Sequence, residues 1–232
     1  VPAVAIPLLR DGCSQTTVDE EWVIDALMLS KEGGRDVDFS QLRGECELLF
    51  TEARLEELLG APAGDTSRMA RAVLLDGGKR HRPLLAMGTY EALRDGDDPQ
   101  LLPADALLAA VAVECFHKAS LVHDDIEDGD TLRDGHETVC ARETMPVALN
   151  IGDALLGLGY RILSRLDAAR ELVAVAADAH ERLAEGQGAE LLARRDGLQP
   201  SLDMLQQTAR NKTSPAFEVA MRMGAIVAGA DA

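Results

Sequence analysis

The densest run of potential chemistry in the chain is His123-Asp124-Asp125-Ile126-Glu127-Asp128-Gly129-Asp130. On a helix, Asp124 and Asp128 stand one turn apart on a shared face, with Asp125 beside them. Like charges so placed repel, and the run costs stability unless a cation compensates. Hard divalent ions take oxygen ligands, and Mg2+ characteristically uses one or two carboxylates together with water and substrate phosphates. A calcium loop of the EF-hand kind fails on spacing, because from Asp124 the ligand positions three and twelve fall on Ile126 and Gly135. The plainer alternative is a solvated acidic helix end, which the helix dipole disfavours at a C-terminus.

A second cluster has the opposite sign. Gly77-Gly78-Lys79-Arg80-His81-Arg82-Pro83 places three cations within four residues, in a chain with 40 Asp and Glu against 23 Lys and Arg and a net charge of -17. Its glycines permit close backbone approach, and it precedes a helix N-terminus, which attracts anions. The spacing is not that of a P-loop, and a solvated basic turn is the alternative. Taken together, an acidic edge suited to Mg2+ and a basic loop suited to phosphate describe a site for a metal-bound diphosphate. His117 lies two turns before Asp124 on the same stripe, with Glu114 one turn further back.

The elements that must position these groups read as helices almost throughout. Leu42, Cys46, Leu49 and Ala53 form an amphipathic stripe, and Thr66 caps a second helix running to Asp76. Pro83 opens the next helix, which ends near Leu93, and a long one runs from Pro103 to Asp128. Further helices are expected over 146–166, 168–195, 201–210 and 215–230. Few alternating β-branched runs occur, so a sheet is not expected. The fold class is all-α, a helical bundle, with residues 1–39 as an N-terminal leader holding one short helix over 20–30 and residues 40–232 as the helical domain.

Composition excludes several classes of function. Apolar residues make up 47% of the chain, so general disorder is excluded, and the acidic field argues against a nucleic-acid partner. The most apolar stretch, Leu101 to Phe116, is interrupted by Asp105 and Glu114, so no transmembrane segment is expected. The opening VPAVAIPLL has no basic flank or clear cleavage site, and Cys13, Cys46, Cys115 and Cys140 show no CxxC pair. Free thiols and a cytoplasmic location are the expectation.

GGKRHRP (77–83), ECFHKASLVHDDIEDGDTLRDG (114–135), ALNIGDALL (148–156), GQGAELL (186–192) and NKTSPAFE (211–218), in that order, resemble the trans-polyprenyl diphosphate synthases over about residues 41–232. The resemblance implies an antiparallel all-α bundle around a central cavity, usually a homodimer, with Mg2+ holding an allylic diphosphate. By position, Asp124, Asp125 and Asp128 would form the first aspartate-rich, Mg2+-binding motif. Arg133, Lys212 and Thr213 would contact the allylic diphosphate, with Gln187 nearby. Lys79, Arg82 and His117 would hold isopentenyl diphosphate. The implied reaction transfers an allylic prenyl group to isopentenyl diphosphate with release of diphosphate.

Two departures from the family pattern stand out. Where it has Arg-Arg-Gly, this chain has Arg133-Asp134-Gly135, an anion in place of a cation, and Glu190 stands where Asp is usual. The family's second aspartate-rich motif is expected beyond Ala232, and the opening Val1 implies a longer translated product. In the family, bulky residues four and five positions before the motif shorten products; here these are Ser120 and Ala119. A product longer than farnesyl, geranylgeranyl or beyond, is expected, with Phe116 as a deeper floor. Two other readings stay open: a class I terpene cyclase or diphosphate lyase, which needs no isopentenyl diphosphate, and a non-catalytic subunit of a prenyl synthase.

Overall fold

The structure, a computed structural model, describes residues 37–95, 102–199, 201–212 and 214–230. The helix expected over 20–30, with most of the leader, lies outside the described residues. Helix α1 (Phe39–Leu49) is capped by the Asp38 carboxylate, which accepts from the backbone N–H of Ser40 and Gln41. The stripe from Leu42 to Ala53 is two helices rather than one. Thr51 interrupts it as the N-cap of α2 (Glu52–Leu59), its hydroxyl accepting from Arg54 N–H. Helix α3 (Asp65–Leu75) starts one residue before the expected Thr66 cap, and Ser67 closes the turn back onto Gly64.

Helix α4 (His81–Leu93) is followed by α5 (Ala104–Asp128), the centre of the bundle. Val111, Ala112, Cys115 and Ala119 of α5 are fully enclosed, and the helix packs on α4, on α7 (Met145–Leu163) and on α10 (Ser214–Val227). By length and composition alone α5 is long and apolar enough to cross a bilayer despite Asp105 and Glu114. Its apolar surface is instead satisfied by neighbouring helices, with 67% of the most apolar window buried inside the protein. Gly129 ends it in the left-handed region at φ 69°, and Asp130 N–H reaches back to the Asp125 carbonyl at 2.9 Å.

A small sheet follows that the sequence did not lead us to expect. Strands β1 (Leu132–Arg133) and β2 (His136–Glu137) pair antiparallel across Asp134-Gly135, both at positive φ. Asp-Gly is the residue pair favoured in a two-residue hairpin turn, a stronger local signal than β-branched alternation in so short a ladder. Next come α6 (Val139–Arg142), a single turn, then α7, the long α8 (Ala169–Arg195) and α9 (Leu202–Lys212). Helices α9 and α10 both lie against α8, and α10 also packs on α4. Among the described cysteines, Cys46, Cys115 and Cys140 are free.

Candidate active site

Helix α5 delivers its acidic run in its last turn, where backbone carbonyls already concentrate negative potential. The four carboxylates there have different surroundings. Asp125 is buried at 4% exposure and is held by Arg133, with Nε at 2.8 Å and Nη2 at 2.7 Å. Asp128 accepts from Arg194 of α8 at 2.8 Å, and Glu127 accepts from the Gln187 amide of α8 at 2.6 Å. Asp124 faces the cavity without a hydrogen bond to any described residue, and burial pushes its carboxyl above the usual range despite the Lys212 charge. That is the reverse of a relaxed surface carboxylate, and it favours an incoming cation or proton. Among the described residues no three His, Cys, Asp or Glu side chains converge as a ready-made metal cage.

The oxygen donors nonetheless suit Mg2+, which needs few protein carboxylates when a diphosphate and water complete its shell. Asp124 and Asp128 share one face of α5, whereas Asp125 is committed to Arg133. Across the cavity stands Lys212, whose ammonium reaches Glu190 at 2.9 Å, and Gln187 lines the same wall. Thr213 lies outside the described residues.

The basic loop divides its cations among three tasks. Lys79 is exposed and does not line the cavity. Arg80, left-handed at φ 51°, turns inward to Glu114 at 2.5 Å, stacks over Phe50 and donates to the carbonyls of Leu75 and Asp76. Lys118 donates to the carbonyls of Asp76 and Gly77, at 2.6 and 2.8 Å, and so ties the loop to α5. Arg82 alone of the three lines the cavity, 3.1 Å from His117 Nε2 and over the Phe217 ring. Its Nε is buried with no hydrogen-bond partner. Burial and the neighbouring Arg82 charge push His117 down to about 3, so it stands neutral beside the guanidinium. A buried arginine with an unused donor, beside a neutral histidine whose ring can hydrogen-bond, is a receptor for an anion.

The cavity is about 610 Å3 and is predominantly apolar away from these charges. Phe116 lines it eight residues, or about 12 Å, along α5 from Asp124, and Val113 lines it about a turn further on. Ser120 lines the wall between, its hydroxyl turned to the His117 carbonyl, whereas Ala119 is fully buried and does not line it. Sequence reasoning missed Tyr160 and His180, which close on Phe116 from α7 and α8 with ring centroids 5.1 and 4.8 Å away. The one available signal was Gly159 in mid-helix, where a Cβ would stand 2.4 Å from the Phe116 ring.

Residues 65–232 match the family described as polyprenyl synthetase. The chain is 34% identical over 189 residues to a farnesyl diphosphate synthase of Geobacillus stearothermophilus, covering 78% of this chain and 61% of that protein. It is 35% identical over 187 residues to a geranylgeranyl pyrophosphate synthase of Geoglobus acetivorans, covering 77% and 55%. The solved geranylgeranyl pyrophosphate synthetase from Geoglobus acetivorans superposes with a TM-score of 0.69 at 31% identity, over 82% of this chain and 61% of that one. An FPP/GFPP synthase from Zymomonas mobilis gives 0.68 at 28% identity, over 90% and 73%. The chain thus spans about half to two thirds of the length of these curated relatives.

Proposed function

This chain belongs to the polyprenyl synthetase family, and from that premise we propose that it elongates an allylic diphosphate with isopentenyl diphosphate, as a Mg2+-dependent cytoplasmic homodimer. The observation that carries this reading is one cavity lined at once by Asp124, Arg82 and Lys212 and continuing into an apolar hollow. The acidic edge serves a metal-bound diphosphate, the cations serve phosphate oxygens, and the hollow serves a hydrocarbon tail.

Asp124 and Asp128 would hold Mg2+, with Arg194 giving up Asp128 to do so. When bound, Mg2+ supplies charge neutralisation of the departing diphosphate. Lys212 and Arg133 add fixed positive charge beside that edge, where charge develops as the allylic C–O bond breaks and its electron pair leaves with diphosphate. Arg82 and His117 orient the isopentenyl diphosphate, whose alkene π pair forms the new C–C bond before a proton is lost. The apolar wall excludes water that would otherwise capture the cation. Small Ser120 and the depth of Phe116 support products longer than farnesyl, geranylgeranyl or beyond.

The experiment supplies full-length protein with Mg2+, labelled isopentenyl diphosphate and dimethylallyl, geranyl, farnesyl or geranylgeranyl diphosphate. Label in a lengthened prenyl chain is the expected result. Unlabelled hydrocarbon or alcohol with released diphosphate would instead establish the cyclase or lyase reading. No turnover alone, with activity only on adding a second chain, would establish the subunit reading.

A further inference from the structure

Away from its charged groups the cavity is lined by Phe116, Tyr160 and His180 from three helices, and one contact among them is polar in otherwise apolar surroundings. Tyr160 Oη of α7 and His180 Nδ1 of α8 are 2.6 Å apart. Burial raises the phenol and lowers the imidazole, so both stay neutral and the bond joins two uncharged groups. Phe116 is fixed against this pair: its ring meets His180 edge-on at 87° and Tyr160 at a tilt of 58°. Gly159 also stands against the ring, where a Cβ would lie 2.4 Å from it. The Phe116 ring is thus packed at once against Tyr160, His180 and the backbone at Gly159.

We infer that the Tyr160–His180 pair is a specificity-determining latch, which holds Phe116 across the cavity and thereby sets the longest prenyl chain that the site admits. Phe116 is the plug and the pair is what keeps it in place. Two consequences separate this from a floor made by Phe116 alone. Removing only the phenol oxygen, by Tyr160→Phe, leaves ring volume nearly unchanged yet loosens the stop. Removing the imidazole, by His180→Ala, both frees Phe116 and opens space beyond it. The inference rests on the proposed use of the cavity for a prenyl tail.

Its test is chosen to be independent of turnover. Unreactive geranyl, farnesyl, geranylgeranyl and geranylfarnesyl thiodiphosphates are titrated by calorimetry, with Mg2+, into full-length wild type, Tyr160→Phe and His180→Ala. Affinity in the wild type should rise with tail length and then fall at one step. In His180→Ala that fall should move at least one isoprene unit longer. In Tyr160→Phe the tail just beyond the wild-type limit should gain about tenfold in affinity, the scale of a few newly buried methylenes. An unmoved limit in Tyr160→Phe, with circular dichroism showing it folded, overturns the latch whether or not the limit moves in His180→Ala. Wild type that binds no thiodiphosphate, or binds all lengths alike, overturns it too. A limit that moves while wild type incorporates no labelled isopentenyl diphosphate sustains the latch and overturns the proposed reaction. Incorporation with an unmoved limit sustains the reaction and overturns the latch.

Discussion

At one end of the cavity Asp124 and Glu127 of α5 confront Gln187 and Lys212 of α8 and α9, while at the other Phe116 meets Tyr160 and His180. The first end is charged, partly open and tied together by contacts such as Arg194–Asp128 and Gln187–Glu127, which an incoming ligand can replace. The second is neutral, closely packed and held by ring contacts that nothing in solution would replace with gain. One end works through where charge sits and the other through where atoms cannot go. Damage at the charged end should therefore cost rate with little change in the choice of chain length, and damage at the packed end should do the reverse.

The largest break expected is at Asp124. Asp124→Asn removes the unpaired carboxylate and should lower label incorporation by about a thousandfold, the scale of losing one preorganised electrostatic partner of a transition state. The product length distribution of the residual activity should match wild type. A shifted distribution would mean that the two ends are not separable.

At the packed end, Gly159→Ala presses a methyl group into the Phe116 ring. Overpacking of this kind should lower unfolding free energy by about 2 kcal/mol in a denaturant titration. Products should also shorten, because the plug is driven toward the charged end. Unchanged stability together with unchanged products would show that the ring yields freely, and the contrast between the ends would weaken.

Between them lies His117, neutral in the folded protein at a value of about 3 against an ordinary value of 6.5. Above pH 6.5 it costs nothing. As the pH falls from 6.5 toward 3 the unfolded chain takes up a proton that the folded one refuses, so stability is lost by up to about 1.4 kcal/mol per pH unit. His117→Gln should flatten that part of the stability profile, measured by denaturation at pH 7 and pH 5. Binding of isopentenyl diphosphate should be accompanied by proton uptake in the wild type and not in the variant, read as a buffer-dependent binding enthalpy.

The smallest effect is at the hairpin. Asp134 is exposed in its turn, yet its charge acts on Lys118, which secures the basic loop. Asp134→Asn keeps a residue that tolerates positive φ and removes the anion. The KM for isopentenyl diphosphate should fall about threefold, as expected for a weakly screened surface charge. An unaltered KM would show that Asp134 plays only its part in the turn.

Much of the charged end was legible along the chain because its logic is local. Asp124 and Asp128 share a face by helical spacing alone, and an acidic helix end next to Gly129 runs against the helix dipole. The helices themselves followed from apolar periodicity and from their punctuation by Gly and Pro. Boundaries slipped where a side chain made an unforeseen cap, as at Thr51, and the hairpin was hidden because its signal was only the Asp-Gly pair.

From sequence alone came an all-α bundle, an acidic edge and a basic loop, because propensity, periodicity and charge are properties of neighbours in the chain. Which cation of Lys79, Arg80 and Arg82 would face the cavity was decided only in three dimensions. Arg80 is drawn inward because a buried Glu114 demands a partner, which leaves Arg82 to the cavity beside His117. The far end was decided there too, since Phe116, Tyr160 and His180 come from three helices, and no local pattern can report a contact that exists only after those helices pack.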